Sequence, residues 1–283
     1  MRAIDGRAHA NAISRELATD VARLRVGGVT PRLAVVVPTD DPATAWYVRT
    51  ISRLAGKVGV ECVVDSVAGA DRSGIVSRLA EWSGDPTVHG VICQTPLPSG
   101  MALADVASAI APAKDVDGAN PVSLGRLADG LEAYPPATAA AVLEILRREN
   151  VPLRGADVVV VGRSTVVGKP VALLLIAADA TVTVCHSRTV DLAAVTARAS
   201  VLVVAAGRAG LITADYIRPG AVVIDVGTNP TPDGGMVGDV DPDALEKAGA
   251  YTPVPGGVGP VTTAMLLRAT VTAAKSARSA DAS

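Results

Sequence analysis

Apolar positions along the chain fall into two rhythms. Ile13, Leu17, Val21 and Leu24 recur at the three-and-four spacing of one helical face, which predicts a helix from Asp5 to about Arg25. The runs LAVVVP (33–38), VECVVDSV (60–67) and GVICQTP (90–96) follow. Each is short and rich in β-branched residues, and each reads as a strand buried on both faces. Helical segments lie between them. One starts at Pro42 behind Asp40 and Asp41, where carboxylates suit an N-cap and proline suits the first turn. Others cover roughly 72–82 and 102–110.

Past a loop around KDVDG (114–118), a helix is expected from Thr138 to about Asn150. A second strand array follows: ADVVVVG (156–162), TVTVCHS (181–187), SVLVVAAG (200–207) and AVVIDVGT (221–228), with helical stretches expected between them. The last segment places Met265, Leu266, Ala269 and Ala273 on one helical face. Strands alternating with helices predict parallel sheets covered on both sides. Two arrays predict an α/β protein of two lobes with a cleft between them, the second lobe Rossmann-like. The division falls at 1–137 and 138–261, with a C-terminal helix over 262–283 packing back on the first lobe.

Composition narrows the class. Hydrophobic residues make up 49 % of 283, enough for a sizeable core. No apolar run reaches the ~20 residues of a membrane span. The opening MRAIDGRAHANAIS lacks a signal-peptide stretch, so a cytoplasmic location is expected. A net charge of −2 offers nucleic acid no electrostatic attraction. Cys62, Cys93 and Cys185 each sit in a strand-like run without Cys-x-x-Cys spacing, which predicts reduced structural thiols. His9, His89 and His186 show no ligand spacing, and no metal is expected.

Candidate chemistry begins where the strand ADVVVVG runs into GRSTVVGKP (162–170) and an apolar helix. A glycine-bearing turn there presents backbone N–H groups and a helix N-terminus to an anion, the device that dinucleotide-binding folds use for pyrophosphate. The G-x-G-x-x-G spacing is absent: Gly162 and Gly168 are six apart, and Ser164 stands where a second glycine would. The next strand ends in His186, Ser187 and Arg188, with no carboxylate for a ribose 2′-hydroxyl. A cation and a hydroxyl there suit a 2′-phosphate, so NADP is the expected cofactor, with Arg163 as a second cation. Near the C-terminus TPVPGGVGP (252–260) packs three prolines and three glycines into nine residues, a backbone both stiff and bare. Taken alone, it fits a surface turn or a wall against a flat ligand.

Taken together, DDPATAWYV (40–48), CQTPLPSG (93–100), KDVDGANPVSLGRL (114–127), VVVGRSTVVGKP (159–170), TVTVCHSRT (181–189), VIDVGTN (223–229), MVGDV (236–240) and TPVPGGVGPVT (252–262) resemble the bifunctional methylenetetrahydrofolate dehydrogenase/cyclohydrolase family, FolD. They occur in that family's order and span nearly the whole chain. The resemblance implies an N-terminal folate-binding lobe, an NADP-binding Rossmann lobe, a tetrahydrofolate derivative as substrate and a homodimer. It also implies roles. Tyr47 matches the tyrosine that stacks on folate, Gln94 the glutamine that bonds the catalytic lysine, and Asp117 the aspartate that anchors the pterin. Pro255, Gly256 and Gly257 match the wall where nicotinamide and folate meet. Gly162, Arg163, Ser164, Ser187, Arg188 and Thr228 match the cofactor site.

One departure changes the expected chemistry. The family's lysine stands four residues after the tyrosine, one helical turn on, and here that position is Ile51 in YVRTISRL. The chain favours arginine, since only five of its 26 basic residues are Lys, but that bias would place Arg there, not Ile. Arg49, Arg53 and Lys57 lie round the helix from the Tyr47–Ile51 face at ~100° per residue. Ala139 and Ala140 also stand where the family often has Pro and Lys. The expectation is a dehydrogenase whose cyclohydrolase step is weak or absent. A fully bifunctional enzyme and a non-catalytic folate- or NADP-binding paralogue stay open.

Overall fold

The computed structural model describes residues 1–281; positions 282 and 283 of the expected last helix lie outside the described residues. In chain order the elements are β1 (Arg2–Ala3), α1 (Gly6–Val26), β2 (Arg32–Val37), α2 (Pro42–Val58), β3 (Glu61–Ser66), α3 (Arg72–Gly84), β4 (Gly90–Cys93), α4 (Leu103–Ala107), α5 (Pro121–Ala128) and α6 (Ala137–Arg148). Then come β5 (Asp157–Val161), α7 (Gly168–Ala177), β6 (Thr181–Cys185), α8 (Leu192–Thr196), β7 (Val201–Val204), β8 (Val222–Asp225), β9 (Asn229–Pro230), β10 (Met236–Val237), β11 (Ala250–Tyr251) and α9 (Val258–Asp281). Among the described residues no helix is long and apolar enough to cross a membrane.

The chain divides into two compact units. One joins Asn11–Ala137 to the residues from Thr263 onward; the other joins Met1–Ala10 to Thr138–Thr262. The sequence division gave residues 1–10 to the first lobe. They cluster with the second because β1 pairs with β11 at the edge of its sheet, Arg2 opposite Ala250. Two-residue strands carry no hydrophobic period, so neither was visible in the pattern.

The first unit holds a parallel sheet in the order β3-β2-β4, with Leu33 opposite both Cys62 and Gly90. Central β2 is apolar on both faces. Ala34 and Val36 on one face pack with Ile75 and Leu79 of α3 and with Val91 and Ile110. On α1, Ile13, Leu17, Val21 and Leu24 are all buried, as their spacing predicts. On α9, Leu266, Thr270, Val271, Ala273 and Ala274 are buried, while Met265 and Ala269 are half-exposed, so the packed stripe lies slightly round from the expected one.

The second unit holds a six-stranded parallel sheet in the order β1-β11-β8-β7-β5-β6. Its chain steps from β5 to β6 on one side, then returns to β7 on the other. Successive connections therefore diverge at the carboxyl ends of β5 and β7, the crevice where open α/β sheets take ligands.

Two expectations need correction. Not every strand is buried on both faces: β3 and β6 are sheet edges, and Val64 and Val184 stand 46 % and 41 % exposed. A β-branched run reads alike at an edge or a centre, because only pairing tells them apart. Nor does an α-helix separate β7 from β8; that connection carries a single 3₁₀ turn, Ala214–Tyr216. Cys93 and Cys185 are buried free thiols at strand ends, and Cys62, on edge strand β3, is half-buried and free.

Candidate active site

The first cluster lies in the unit built on β2, β3 and β4. Helix α2 starts as its sequence predicts. Asp41 caps it, its Oδ2 accepting the Thr44 N–H at 2.8 Å, with Pro42 in the first turn. The buried Thr44 hydroxyl reaches both Asp41 Oδ2, at 3.0 Å, and the Thr95 carbonyl, at 3.2 Å. This pins the helix start to the residue after Gln94. Thr44, Val48, Ile51, Ala55 and Val58 form the buried stripe of α2, whereas Arg49, Arg53 and Lys57 are exposed.

Ile51 is fully buried. The position is thus a packed apolar site, worth about 1.5–3 kcal/mol of burial for such a side chain. Tyr47, beside that stripe, is half-buried. Its phenol is pushed up to about 12, first by burial and then by the charge of Asp117, while a hydrogen bond with the Thr263 side chain works the other way. It is therefore a neutral hydroxyl across the physiological range. Gln94 follows β4, its N–H donating to Val36 O at 2.9 Å. Among the described residues its side-chain amide has no hydrogen-bond partner, and it is half-buried.

Asp117 is presented by a loop that a second carboxylate builds. Asp115 is fully buried and accepts three hydrogen bonds: from Ala119 N–H at 2.9 Å, Asn120 N–H at 2.9 Å and the Ser123 hydroxyl at 2.5 Å. Gly118 follows at φ +57°, and a Cβ there would lie 2.6 Å from the Tyr134 carbonyl oxygen, so only glycine fits. Asp117 Oδ1 accepts the Ala137 N–H at the start of α6, at 2.9 Å. Its carboxyl is nevertheless raised to about 6. Burial is the main cause, the Ala137 bond opposes it, and the charge of Asp115 adds to it. One accepted bond leaves most of the carboxylate's lone pairs open to a donor.

The second cluster lies in the other unit, at the carboxyl ends of its strands. β5 ends at Val161, opposite Cys185, and Gly162 N–H donates to Cys185 O at 2.8 Å. The glycine turn and the end of β6 are therefore direct neighbours. Gly162 has φ +133°, and a Cβ there would lie 2.2 Å from Ala205 O. A Cβ on Gly168, the first residue of α7, would lie 2.2 Å from Gly162 O. The six-residue glycine spacing thus closes a tight turn on itself and on the neighbouring strand's loop. Ser164 shapes this turn: its Oγ accepts the Val167 N–H at 3.1 Å and lies 3.5 Å from the Gly168 nitrogen.

After β6 the chain turns sharply. His186 N–H donates to Thr189 Oγ1 at 2.9 Å, and Arg188 N–H donates to His186 Nδ1 at 3.1 Å. Ser187 and Arg188 are exposed at this turn, and Arg163 is exposed at the glycine turn. Among the described residues neither guanidinium joins an ion pair. A bare glycine cradle flanked by two uncommitted cations fits a phosphorylated dinucleotide.

The loops after β7 and β8 are held by two aspartates that sequence reasoning missed. Asp239 is fully buried; its Oδ2 accepts Ala206 and Gly207 N–H at 2.6 and 2.9 Å, and its Oδ1 accepts Arg208 N–H at 2.8 Å and Asn229 Nδ2 at 2.9 Å. Asp225, also buried, accepts Gly227, Asp239 and Val240 N–H at 2.8, 3.1 and 2.9 Å. Gly227 and Gly238 pack directly on these carboxylates: added Cβ atoms would lie 2.5 Å from Asp239 Oδ1 and 1.9 Å from Asp225 Oδ2. Thr228, next in the chain, is exposed. The signal in the sequence was an aspartate within two residues of a glycine in both VIDVGTN and MVGDV.

The bare run near the C-terminus belongs to this unit as far as Thr262. Gly257 N–H donates to Pro253 O at 2.8 Å, Gly256 has φ +112°, and Pro255 is exposed. A Cβ on Gly6 would lie 1.8 Å from Gly257 O, so the start of α1 packs on this run. Among the described residues no group of three His, Cys, Asp or Glu is placed to hold a metal ion.

Comparison with known proteins agrees along nearly the whole length. Residues 4–117 match the tetrahydrofolate dehydrogenase/cyclohydrolase catalytic domain, and residues 136–278 match that family's NAD(P)-binding domain. A curated relative from Parafrankia sp. (strain EAN1pec), named bifunctional protein FolD, is 60 % identical over 275 residues, covering 97 % of this chain and 99 % of its own. The structure of the bifunctional FolD enzyme of Campylobacter jejuni superposes with a TM-score of 0.95 at 37 % identity, covering 98 % of this chain and 99 % of that one. That of the Trypanosoma brucei enzyme, complexed with NADP cofactor and inhibitor, gives 0.92 at 38 % identity, covering 98 % of each. This chain belongs to the tetrahydrofolate dehydrogenase/cyclohydrolase family.

Proposed function

We propose that the protein oxidises 5,10-methylenetetrahydrofolate to the 5,10-methenyl cation with NADP, in the cytoplasm and as a homodimer, and that its methenyl cyclohydrolase step is weak or absent. The observation that carries the second half is Ile51, a fully buried apolar side chain at the position where the family resemblance places a lysine. When bound, NADP⁺ supplies the acceptor for the hydride that leaves the substrate's methylene carbon. What the chain contributes is position. Asp117, with lone pairs to spare, takes the pterin amine and ring N–H, Tyr47 lies against the folate ring, and the bare run 255–257 admits flat rings close to its backbone. Gly162, Arg163, Ser187, Arg188 and Thr228 hold the dinucleotide, with Ser164 keeping the turn closed beneath it.

Hydrolysis of the methenyl cation asks for more. Water adds to the carbon, a proton leaves that water, and the ring C–N bond breaks as its nitrogen gains a proton, giving 10-formyltetrahydrofolate. A side chain that moves those protons is typically worth ~10²–10⁴ in rate. Isoleucine moves none, and Tyr47, held neutral with its phenol at about 12, is a poor base near neutrality. The fully bifunctional alternative draws support from the Parafrankia relative, whose name calls it bifunctional. The two readings separate when NADP reduction and methenyl hydrolysis are assayed individually on purified protein. Absence of NADP reduction with methylenetetrahydrofolate would exclude both.

Two further outcomes follow. Arg188→Ala should weaken NADP about 10- to 100-fold, the worth of one charge-assisted bond of ~1.5–3 kcal/mol, and leave NAD nearly unchanged. Titration of both cofactors against both proteins checks this, and equal wild-type affinities for NADP and NAD would refute the 2′-phosphate assignment. The pH profile carries the second outcome. With its carboxyl raised to about 6, free Asp117 gains a proton as pH falls through that value, and it then presents a donor where the pterin needs an acceptor. kcat/KM for the folate should fall below about pH 6, and the Asp117→Asn variant should lack that limb. An unchanged limb in the variant would assign it to another group.

A further inference from the structure

Thr252 is buried at the head of the run 252–257, and its hydroxyl makes two bonds to one residue. It accepts the Asp225 N–H at 2.8 Å and lies 3.3 Å from the Asp225 carbonyl oxygen, to which it donates. Asp225 lies at the end of β8, and its carboxylate gathers the N–H groups of Gly227, Asp239 and Val240. Asp239 in turn gathers those of Ala206, Gly207 and Arg208, and the amide of Asn229. Three loops meet in this one network: that after β7, that after β8, and the bare run. A Cβ on Gly257 would lie 2.6 Å from Thr252 Cβ, so the threonine also packs directly on the turn it precedes. None of these side chains is among those that would touch substrate or cofactor.

We propose that Thr252, bonded to the backbone of Asp225 whose carboxylate gathers the Asp239 loop, is a positioning residue for the hydride step. It fixes the backbone of 255–257 relative to the loop bearing Thr228, so that the nicotinamide half of the cofactor is held in register. The inference rests on the dehydrogenase reading above. The chemistry favours such a lock. Buried carboxylates that accept seven donors between them are rigid, because each lost bond leaves a buried group unpaired. A hydroxyl that bonds both the N–H and the C=O of one residue also sets the separation of two strand ends. Misplacement of reacting atoms by about 1 Å costs on the order of 10²-fold in rate.

The test is Thr252→Val, which keeps the shape and removes the hydroxyl, beside Thr252→Ser, which keeps the hydroxyl. The rate of NADP reduction should fall at least about tenfold in the valine variant and return to within about threefold of wild type in the serine variant. Adenosine 2′,5′-bisphosphate, a probe of the adenine half alone, should bind all three proteins equally. Wild-type turnover in Thr252→Val, failure of Thr252→Ser to recover, or parallel loss of the adenine probe would each overturn the proposal. Should the valine variant not fold, Asn229→Ala carries the same test by removing one donor to Asp239 at a half-buried site. It should slow reduction by about threefold with the probe unaffected, and an unchanged rate would overturn the proposal. A wild-type protein that binds the probe yet reduces no NADP would instead refute the dehydrogenase reading itself.

Discussion

Asp117→Ala should lower kcat/KM for methylenetetrahydrofolate by about 10²- to 10⁴-fold and leave NADP affinity nearly unchanged. The size comes from two bonds to a charged acceptor, each worth ~1.5–3 kcal/mol. The selectivity comes from placement: Asp117 belongs to the unit of residues 11–137, whereas the glycine turn and Arg188 belong to the other. The fold should tolerate the change better than it would tolerate loss of Asp115. Asp117 accepts one protein N–H, from Ala137, while fully buried Asp115 accepts three donors and shapes the loop. Steady-state kinetics with folate and NADP varied in turn would decide. Full retained kcat/KM would make Asp117 only a turn residue beside Gly118.

Restoring an amine at position 51 should produce the second large effect. Ile51→Lys should raise methenyl hydrolysis at least tenfold, a fraction of the ~10²–10⁴ that an acid–base group contributes. Gln94, with its amide uncommitted among the described residues, is the partner the family resemblance assigns to that amine. Opposing this is the packing. Ile51 sits wholly inside the α2 stripe, so the ammonium pays desolvation and the apolar contacts are lost. Far-UV circular dichroism and a melting curve establish that the variant is folded before its rate is read. A folded variant with wild-type hydrolysis would show that the position no longer communicates with the substrate.

How far the sequence disclosed this arrangement depended on the length scale of each signal. All seven long strand runs form strands, and α1, α2, α3 and α6 begin within a residue or two of their expected starts, because period and caps are local properties. Helix α5 was missed although Asn120 caps it and Pro121 follows, both start signals. Its buried residue is Ser123 and its Val122 is 55 % exposed, so no apolar stripe marked it. Edge and centre could not be told apart for β3 and β6, since pairing is a tertiary fact. Tyr47, Gln94 and Asp117 were legible as motif residues, and so were Gly162 and Arg188. The aspartates behind the loops were not. Asp115, Asp225 and Asp239 act by accepting N–H groups from their surroundings, Asp225 and Asp239 largely from segments distant in the chain, and a carboxylate within a few residues of a glycine reads from sequence as a turn.

The most direct test of the central claim follows one preparation of the wild-type protein through both steps. Methylenetetrahydrofolate and NADP are mixed with enzyme, NADPH and the methenyl absorbance are recorded together, and the uncatalysed hydrolysis rate is subtracted. Methenyltetrahydrofolate should accumulate nearly in step with NADPH if, as proposed, the hydride step needs position while hydrolysis lacks a proton carrier. Hydrolysis keeping pace with hydride transfer, with no methenyl build-up, would contradict the account and show that a group other than a residue-51 amine moves the protons.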